Sequence, residues 1–501
     1  MNDHTELRFS SRLGLILSVL GIAVGTGNIW RFPRIAAQNA GEDGAGAFLI
    51  AWLIFLFVWS IPLIMAEYAL GRKGRMGLVG TFSLIAGEKF AWMGAFIGFV
   101  ASAIMFYYSV VNGWCLFYFV QTVSQPLPLT TDAAQGIWDQ FQGGYMPIMY
   151  HGLAMLIGGL IVWRGVSSIE RANKFLIPAL LLIVLIALGR AVTLNGAGDG
   201  IRYLFTPQWD TLANPRLWLD ALTQNAWDTG AGWGLILTYG AYMQHRHGVV
   251  KNAFITGVGN NTVSLLAAIT IFSACFAILG AEMNKSEVLS VMQNSGPAST
   301  GLTFIWMPQL FAQMPFGTAF AALFFLGLSF AAFSSLISMI ELAARMLVDG
   351  GLSRNRAVLS VATLGFLLGI PSAVNLNVFG NQDFVWGVAL MISGALIAFA
   401  VMRFGVAHFR REEINGTPMD WSVSKLWDVQ IKYLIPFQAI VLLGWWLYLS
   451  ATEYAPTTWF DPTDPYSVMT CLVQWGGAAI VLALLNGWMV GRLKRNVLSG
   501  I

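Results

Sequence analysis

About a dozen apolar stretches dominate this 501-residue chain, each near the roughly 20 residues that carry a helix across a bilayer. They read as spans over 12–37, 47–71, 91–123, 147–163, 168–193, 216–243, 250–280, 317–347, 355–371, 384–405, 430–450 and 468–491. With 56% hydrophobic and 11% charged residues, most of the surface must face lipid. A soluble chain of this length would divide into domains with charged exteriors. Lipid offers no hydrogen bonds, so the spans are expected to be helices. No linker is long enough to separate domains, so residues 1–501 read as one membrane domain.

With twelve spans, both termini share one side. Placing that side in the cytoplasm puts roughly 22 of the 28 Lys and Arg residues in or beside cytoplasmic loops, as positive-inside orientation requires. Arg72, Lys73, Arg354, Arg410, Arg411 and Lys494 are among them, whereas Glu42, Asp43, Asp132, Asp139, Glu282 and Asp461 fall opposite. Met1 to Ser11 is polar and leads straight into an apolar segment, unlike a cleavable signal. Cys115, Cys275 and Cys471 lie inside apolar runs and read as small core residues. A net charge of +3 argues for no nucleic-acid partner. Many of the 20 tryptophans, such as Trp163 and Trp488, sit near span ends as interfacial anchors.

Glycine punctuates two of these helices. The first span reads GIAVGTGNIWRFP from Gly21 to Pro33, and the sixth reads QNAWDTGAGWG from Gln224 to Gly234. Glycine costs about 1 kcal/mol relative to alanine inside a helix, and a break at mid-membrane frees backbone groups that only a cavity lining can satisfy. Close packing through small residues explains a single such cluster equally well. Two clusters beside polar residues, in the first and sixth of twelve spans, fit corresponding breaks in two five-helix repeats, whose half-helix ends can face an anion and bind sodium.

At these residues the chain resembles the neurotransmitter:sodium symporters, specifically the bacterial leucine-transporter type. RLGLILSVLGIAVGTGNIWRFP (Arg12 to Pro33) is similar to the family's first-helix signature almost throughout. PLIMAEYALGR, YYSVVNGW, GVSSIERANK, YLFTPQW and AAFSSLISMIE are further matches, and the likeness runs with gaps from about residue 12 to 450. The resemblance implies an all-α polytopic membrane protein of twelve transmembrane helices. Two inverted five-helix repeats (12–193 and 216–405) with broken helices 1 and 6 would be followed by two peripheral helices (430–491).

It also implies two sodium ions and an amino-acid substrate bound halfway across the membrane. The first sodium site would use Ala23, Asn28, Asp228 and Asn260. The second would use carbonyls of Gly21, Val24 and Ala331 with hydroxyls of Ser334 and Ser335; ordinary intrahelical back-bonding is the alternative for both serines. Thr26, Gly27, Ile104, Tyr108, Trp227, Gly230, Trp233, Ser335 and Met339 would line the substrate pocket. Tyr108 would donate to a substrate carboxylate beside the amides of Thr26 and Gly27. Tyr108 and Trp227 would close over the substrate, beneath an Arg31–Asp383 ion pair.

Four departures from the family pattern carry information. Asp228 stands where a hydroxyl residue is usual, while Ser264 holds the usual carboxylate position of the seventh helix and Trp52 that of a chloride-binding tyrosine. Asp228 is therefore expected to be the fixed negative charge that substitutes for chloride; an amine partner and a proton relay are its alternatives. The indoles of Trp227 and Trp233 remove volume, which slightly favours glycine or alanine, although Gly230 opens space and aromatic walls equally suit aromatic substrates. Gly25 replaces the first-helix acid of monoamine carriers, so a substrate with its own carboxylate is expected. At the cytoplasmic gate, Glu6 and Phe9 replace an arginine and a tryptophan, leaving Arg8 to serve near Tyr242 and Asp349. The insertion Gly41-Glu42-Asp43-Gly44 has no assigned role in this reading.

The five histidines lack the neighbours a catalytic or metal site needs, so no enzyme and no organic cofactor are expected. Sodium-coupled symport by alternating access follows, in a cell membrane of the bacterial inner-membrane kind, with cytoplasmic termini. A proton-coupled permease using Asp228, Glu67 or Glu341, and a channel, are the rival readings; sodium dependence separates the first and flux stoichiometry the second.

Overall fold

The computed structural model describes residues 8–293 and 301–496. Among them nine helices are long and apolar enough to cross a membrane: Gly46–Gly74, Glu88–Ser124, Met146–Trp163, Val166–Val192, Val249–Ala281, Gly317–Asp349, Arg354–Val374, Leu376–Phe404 and Leu426–Tyr454. Two bent pairs add Arg12–Ala23 with Thr26–Gln38, at 47°, and Val468–Leu484 with Asn486–Asn496, at 51°. The pair Pro215–Asp228 and Leu235–Gly240 occupies the expected sixth position. Twelve helical crossings therefore stand at the twelve expected places.

Two boundaries differ from the sequence expectation, each for a local reason. The tenth span begins at Leu376, because Asn375 caps it by accepting the N–H groups of Asn377 (2.8 Å) and Val378 (3.3 Å). Its first turns are polar, so hydropathy alone starts the helix late. The twelfth span bends after Leu484. There Asn486 accepts the Trp92 N–H at 2.8 Å and donates to the Glu88 carbonyl at 3.0 Å, which draws the last helix to the start of the third span.

Both glycine clusters are true breaks. Half-helix 1a ends at Ala23 and 1b starts at Thr26. In the sixth span, Gly230, Gly232 and Gly234 take φ of +66°, +90° and +77°, left-handed values that side-chain-bearing residues rarely adopt. The fully buried Glu67 of the second span compensates the second break. It accepts the N–H of Gly232 at 2.5 Å and of Leu237 at 3.1 Å, so the amides freed by the break are paired without water. Close packing holds Glu67 there: a Cβ at Gly71 would lie 2.0 Å from the Leu237 carbonyl oxygen.

The Gly41–Gly44 insertion forms a clasp on the loop after the fifth span. Gly41 donates to the Gly44 carbonyl at 3.0 Å, Tyr203 Oη to the Gly41 carbonyl at 2.7 Å, and the Asp43 N–H to Gln208 at 3.0 Å. Lys285 donates to the Glu42 carbonyl and lies 4.8 Å over the Tyr203 ring. The residues left without a role by the sequence thus tie three loops together on one side of the bundle.

Candidate functional site

The first break concentrates oxygen donors. The Val24 N–H still reaches the Leu20 carbonyl at 2.7 Å, but the Gly25 N–H turns to the Ala23 carbonyl (3.0 Å) and to Asn28 Oδ1 (2.8 Å). The Gly21 and Ile22 carbonyls then face the eighth span, where the Ser335 hydroxyl lies 3.3 and 3.4 Å away. Ser334 bonds back to the Ala331 carbonyl at 2.9 Å, the intrahelical arrangement that is the alternative for this serine, while its Cβ lies 3.1 Å from where a Gly21 Cβ would be. Val24 closes half-helix 1a as its C-cap.

Across the break, Asn28 donates to Asn260 Oδ1 and Ser264 Oγ, both at 2.7 Å. The Asn260 amide group pointing at the break also lies 3.0 Å from the Ala23 carbonyl oxygen and 3.1 Å from that of Asp228. Three oxygens this close repel unless a donor or a cation stands among them. Turning the amide over presents its N–H groups; a sodium ion would serve with the oxygen inward. Ala23, Asn28, Asp228 and Asn260 are thus brought together by three separate spans.

The Asp228 side chain turns away from that point. Its Oδ2 accepts Gln224 Nε2 at 2.6 Å and the Ser264 hydroxyl at 3.3 Å, and its Oδ1 lies 3.1 Å from where a Gly27 Cβ would be. Gln224 is one helical turn before Asp228, a spacing that marks it in the sequence. Its partner role there was not foreseen. A ladder of amides continues outward, from Asn260 to Asn261 at 3.1 Å and to Asn225 at 3.4 Å, ending in a bond from Asn225 to the Trp52 carbonyl at 2.5 Å. The Trp52 indole N–H makes no bond and packs instead on Phe32, 4.4 Å between centroids.

At the N-terminus of half-helix 1b, Tyr108 Oη lies 3.4 Å from the Thr26 N–H and 3.3 Å from its hydroxyl. Tyr108 Oη and Ser335 Oγ would stand 3.2 and 3.1 Å from a Cβ at Gly25, so only glycine leaves this corner open. Ile104 and Met339 are buried on the third and eighth spans. Trp227 and Trp233 meet edge to face at 5.6 Å. Trp233 donates to the Ala226 carbonyl at 3.2 Å, and Ile22 Cγ2 sits 2.9 Å from a Cβ placed on Gly230. The space that Gly230 promised is therefore taken up by Ile22.

The two ends of this site differ. At one end of the site the Arg31 guanidinium lies 4.9 Å over the Trp227 ring, near enough to Asp383 for their charges to attract. At the other end, Phe9 is fully buried against Tyr239 (5.6 Å) and Tyr242 (6.3 Å), and its N–H reaches the Tyr242 carbonyl at 3.1 Å. Tyr242 donates to Glu341 at 2.5 Å, and Arg354 also holds Glu341. Asp349 pairs with Arg345, one turn earlier, at 3.0 Å and accepts the Gly77 N–H at 2.5 Å. Arg8 lies toward the 241–248 loop, where burial and then the charges of Arg75, Arg72 and Arg8 lower the pKa of His245. Glu6 lies outside the described residues.

Two broken spans facing each other across a bundle of crossing helices, with carbonyl oxygens at the breaks, define a secondary transporter. The chain belongs to the Sodium:neurotransmitter symporter family, whose model matches residues 7–142 and 145–494. It is a sodium-dependent membrane symporter and not an enzyme. The sodium-dependent transporter YhdH of Bacillus subtilis is 28% identical over 88% of this chain and 98% of its own. The sodium-dependent serotonin transporter of Drosophila melanogaster is 28% identical over 81% of this chain and 71% of its own. The crystal structure of MhsT in complex with L-phenylalanine aligns with a TM-score of 0.76 at 28% identity, over 87% of this chain and 99% of MhsT.

Proposed function

We propose that this transporter carries one neutral, carboxylate-bearing amino acid with two sodium ions and needs no chloride. The observation that carries the reading is the convergence of the Ala23 and Asp228 carbonyls with the Asn28 and Asn260 side chains at one point, beside the N-terminus of half-helix 1b. A substrate carboxylate there is favoured by the helix dipole and by the Tyr108 hydroxyl. It would complete the first sodium shell, so ion and substrate raise each other's affinity. Gly25, Ser335 and the Gly21 carbonyl supply the corner next to the second ion.

Chloride independence rests on Asp228 Oδ2. Its two donors, Gln224 and Ser264, would otherwise surround an anion; a fixed carboxylate fills that role and balances the cation opposite. The repeats are read as residues 12–193 and 216–405, each opening with its broken helix, and the termini as cytoplasmic. Phe9, Tyr242 and Glu341 form the inner gate; Tyr108, Trp227, Arg31 and Asp383 form the outer one.

A small substrate such as glycine or alanine fits best, because Ile22 fills the space beside Gly230 and two indoles meet over the pocket. An aromatic substrate is the second reading, favoured by the likeness to MhsT with its bound L-phenylalanine. Moving a charge through 100 mV is worth about 2.3 kcal/mol, so two sodium ions with a zwitterion gain about 4.6 kcal/mol from that potential. The test is uptake of labelled glycine, alanine, leucine, phenylalanine and tryptophan into proteoliposomes under an inward sodium gradient in gluconate. Sodium-driven accumulation without chloride supports the reading and names the substrate; uptake driven only by protons overturns it in favour of a permease.

A further inference from the structure

The interface between half-helix 1a and the fifth span is closely packed and buries polar side chains. Gly14, Ser18 and Gly21 recur at helical spacing and share one face of half-helix 1a. Gly14 lies against Glu170 and Gly21 against Asn173, so this face meets the fifth span. Asn173 is fully buried, and neither its Oδ1 nor its Nδ2 has a hydrogen-bond partner; the fully buried Ser18 hydroxyl has none either. Buried polar groups without partners are costly and rare. Both residues sit in the seam between the cytoplasmic mouth and the second cation site.

Position gives these orphans a use. Asn173 Oδ1 stands 3.0 Å from the point where a Gly21 Cβ would be, and Ser334 Cβ stands 3.1 Å from the same point. Asn173 therefore packs against the Cα of Gly21 beside the Ser334 Cβ, next to two residues of the second site and on a helix other than theirs. At the other end of the seam, Glu170 accepts the Ser10 N–H at 2.7 Å and the hydroxyls of Ser10 (2.6 Å) and Ser11 (3.1 Å), and pairs with Lys174 at 2.7 Å. This latch holds half-helix 1a against the fifth span.

We infer that Asn173, followed by Ser18, takes over the second-site sodium ion when half-helix 1a leaves the fifth span. The inference rests on the second sodium site proposed above. Withdrawal of 1a removes the Gly21 carbonyl from the ion, and the Asn173 amide oxygen, fixed on the fifth span, replaces it. The ion then exchanges that oxygen for the Ser18 hydroxyl and incoming water. The latch at Glu170 must open first, and the freed carboxylate marks the mouth of the path. The two side chains lack partners in the closed seam because their partner is an ion in passage.

The test uses the full-length transporter and 22Na+ as the probe, with Asn173→Leu and Asn173→Ala as variants and Asn173→Asp as the conservative one. Sodium binding in detergent, thermal melting, and 22Na+ entry into proteoliposomes with a mixture of the twenty amino acids are measured on each. Loss of an unpaired buried amide should leave the melting temperature unchanged or raised, keep sodium binding within about twofold, and slow flux about tenfold, with Asn173→Asp restoring most of it. A purely structural asparagine would lower melting without that separation. Unchanged flux in both apolar variants overturns the inference, as does a loss of binding equal to the loss of flux. Ser334→Ala separates the layers: unchanged sodium binding there removes the second site itself, whatever Asn173 does.

Discussion

Glu67 Oε1 accepts the N–H of Gly232 at 2.5 Å across the interface between the second and sixth spans. A carboxylate with no exposure is thus the hydrogen-bond partner of a broken helix. Glu67→Ala is expected to cost about 3 kcal/mol or more, since two buried backbone donors lose their acceptor, and to lower the melting temperature in detergent. Glu67→Gln should fall between, because the amide retains one acceptor. A variant that melts like the native protein but loses a proton-coupled current would instead make Glu67 a proton carrier.

Asp228→Ser should convert chloride-independent transport into chloride-dependent transport. Gln224 and Ser264 would keep their places and face a vacancy for an anion. The measurement is sodium-driven uptake in chloride against gluconate. Equal activity in the two salts, with sodium affinity unaltered, sinks the assignment of Asp228 as the fixed charge.

Tyr108→Phe removes a hydroxyl that meets Thr26 at the start of half-helix 1b. A hydrogen bond to a charged group is worth about 1.5–3 kcal/mol, so substrate KM should rise about 10- to 100-fold. Sodium binding without substrate should change little. A KM within twofold of the native value places the carboxylate elsewhere.

Phe9→Ala should open the end of the site that Phe9 closes. The ring is fully buried between Tyr239 and Tyr242, and emptying such a site costs about 3–5 kcal/mol. That cost falls on the closed inner gate alone. Hydrogen exchange along Arg12–Ala23 should accelerate while the third span, Ala91–Ser124, stays protected. Uniform acceleration would indicate general unfolding instead.

Gly44→Ala should disrupt the outer clasp. The added Cβ would fall 2.2 Å from the Thr206 carbonyl oxygen, and overpacking of this kind costs about 1–3 kcal/mol. A lower melting temperature with unaltered substrate KM is the expected result, because the clasp lies away from the helix breaks.

The sequence by itself determined the number of crossings, their order and the two places where helices break. Those properties are local: apolar length sets a span, and glycine at mid-membrane sets a break, whatever surrounds it. The oxygen donors at the breaks, Asn28 and Ser335 among them, came from the family resemblance of the first-helix and eighth-helix motifs and not from local pattern. Only the tertiary structure decided what those residues face. Gly230 looked like open space until Ile22 of another span filled it. Glu67 read only as a buried acid until the amides of Gly232 and Leu237 showed what its two oxygens hold. Asn173 carried no signal in the sequence, because an asparagine becomes an orphan only when its neighbours are known. The Gly41–Gly44 insertion gained its role from Tyr203 and Gln208, more than 160 residues away. Pairing across such distances is set by packing, and no period or motif within one segment records it.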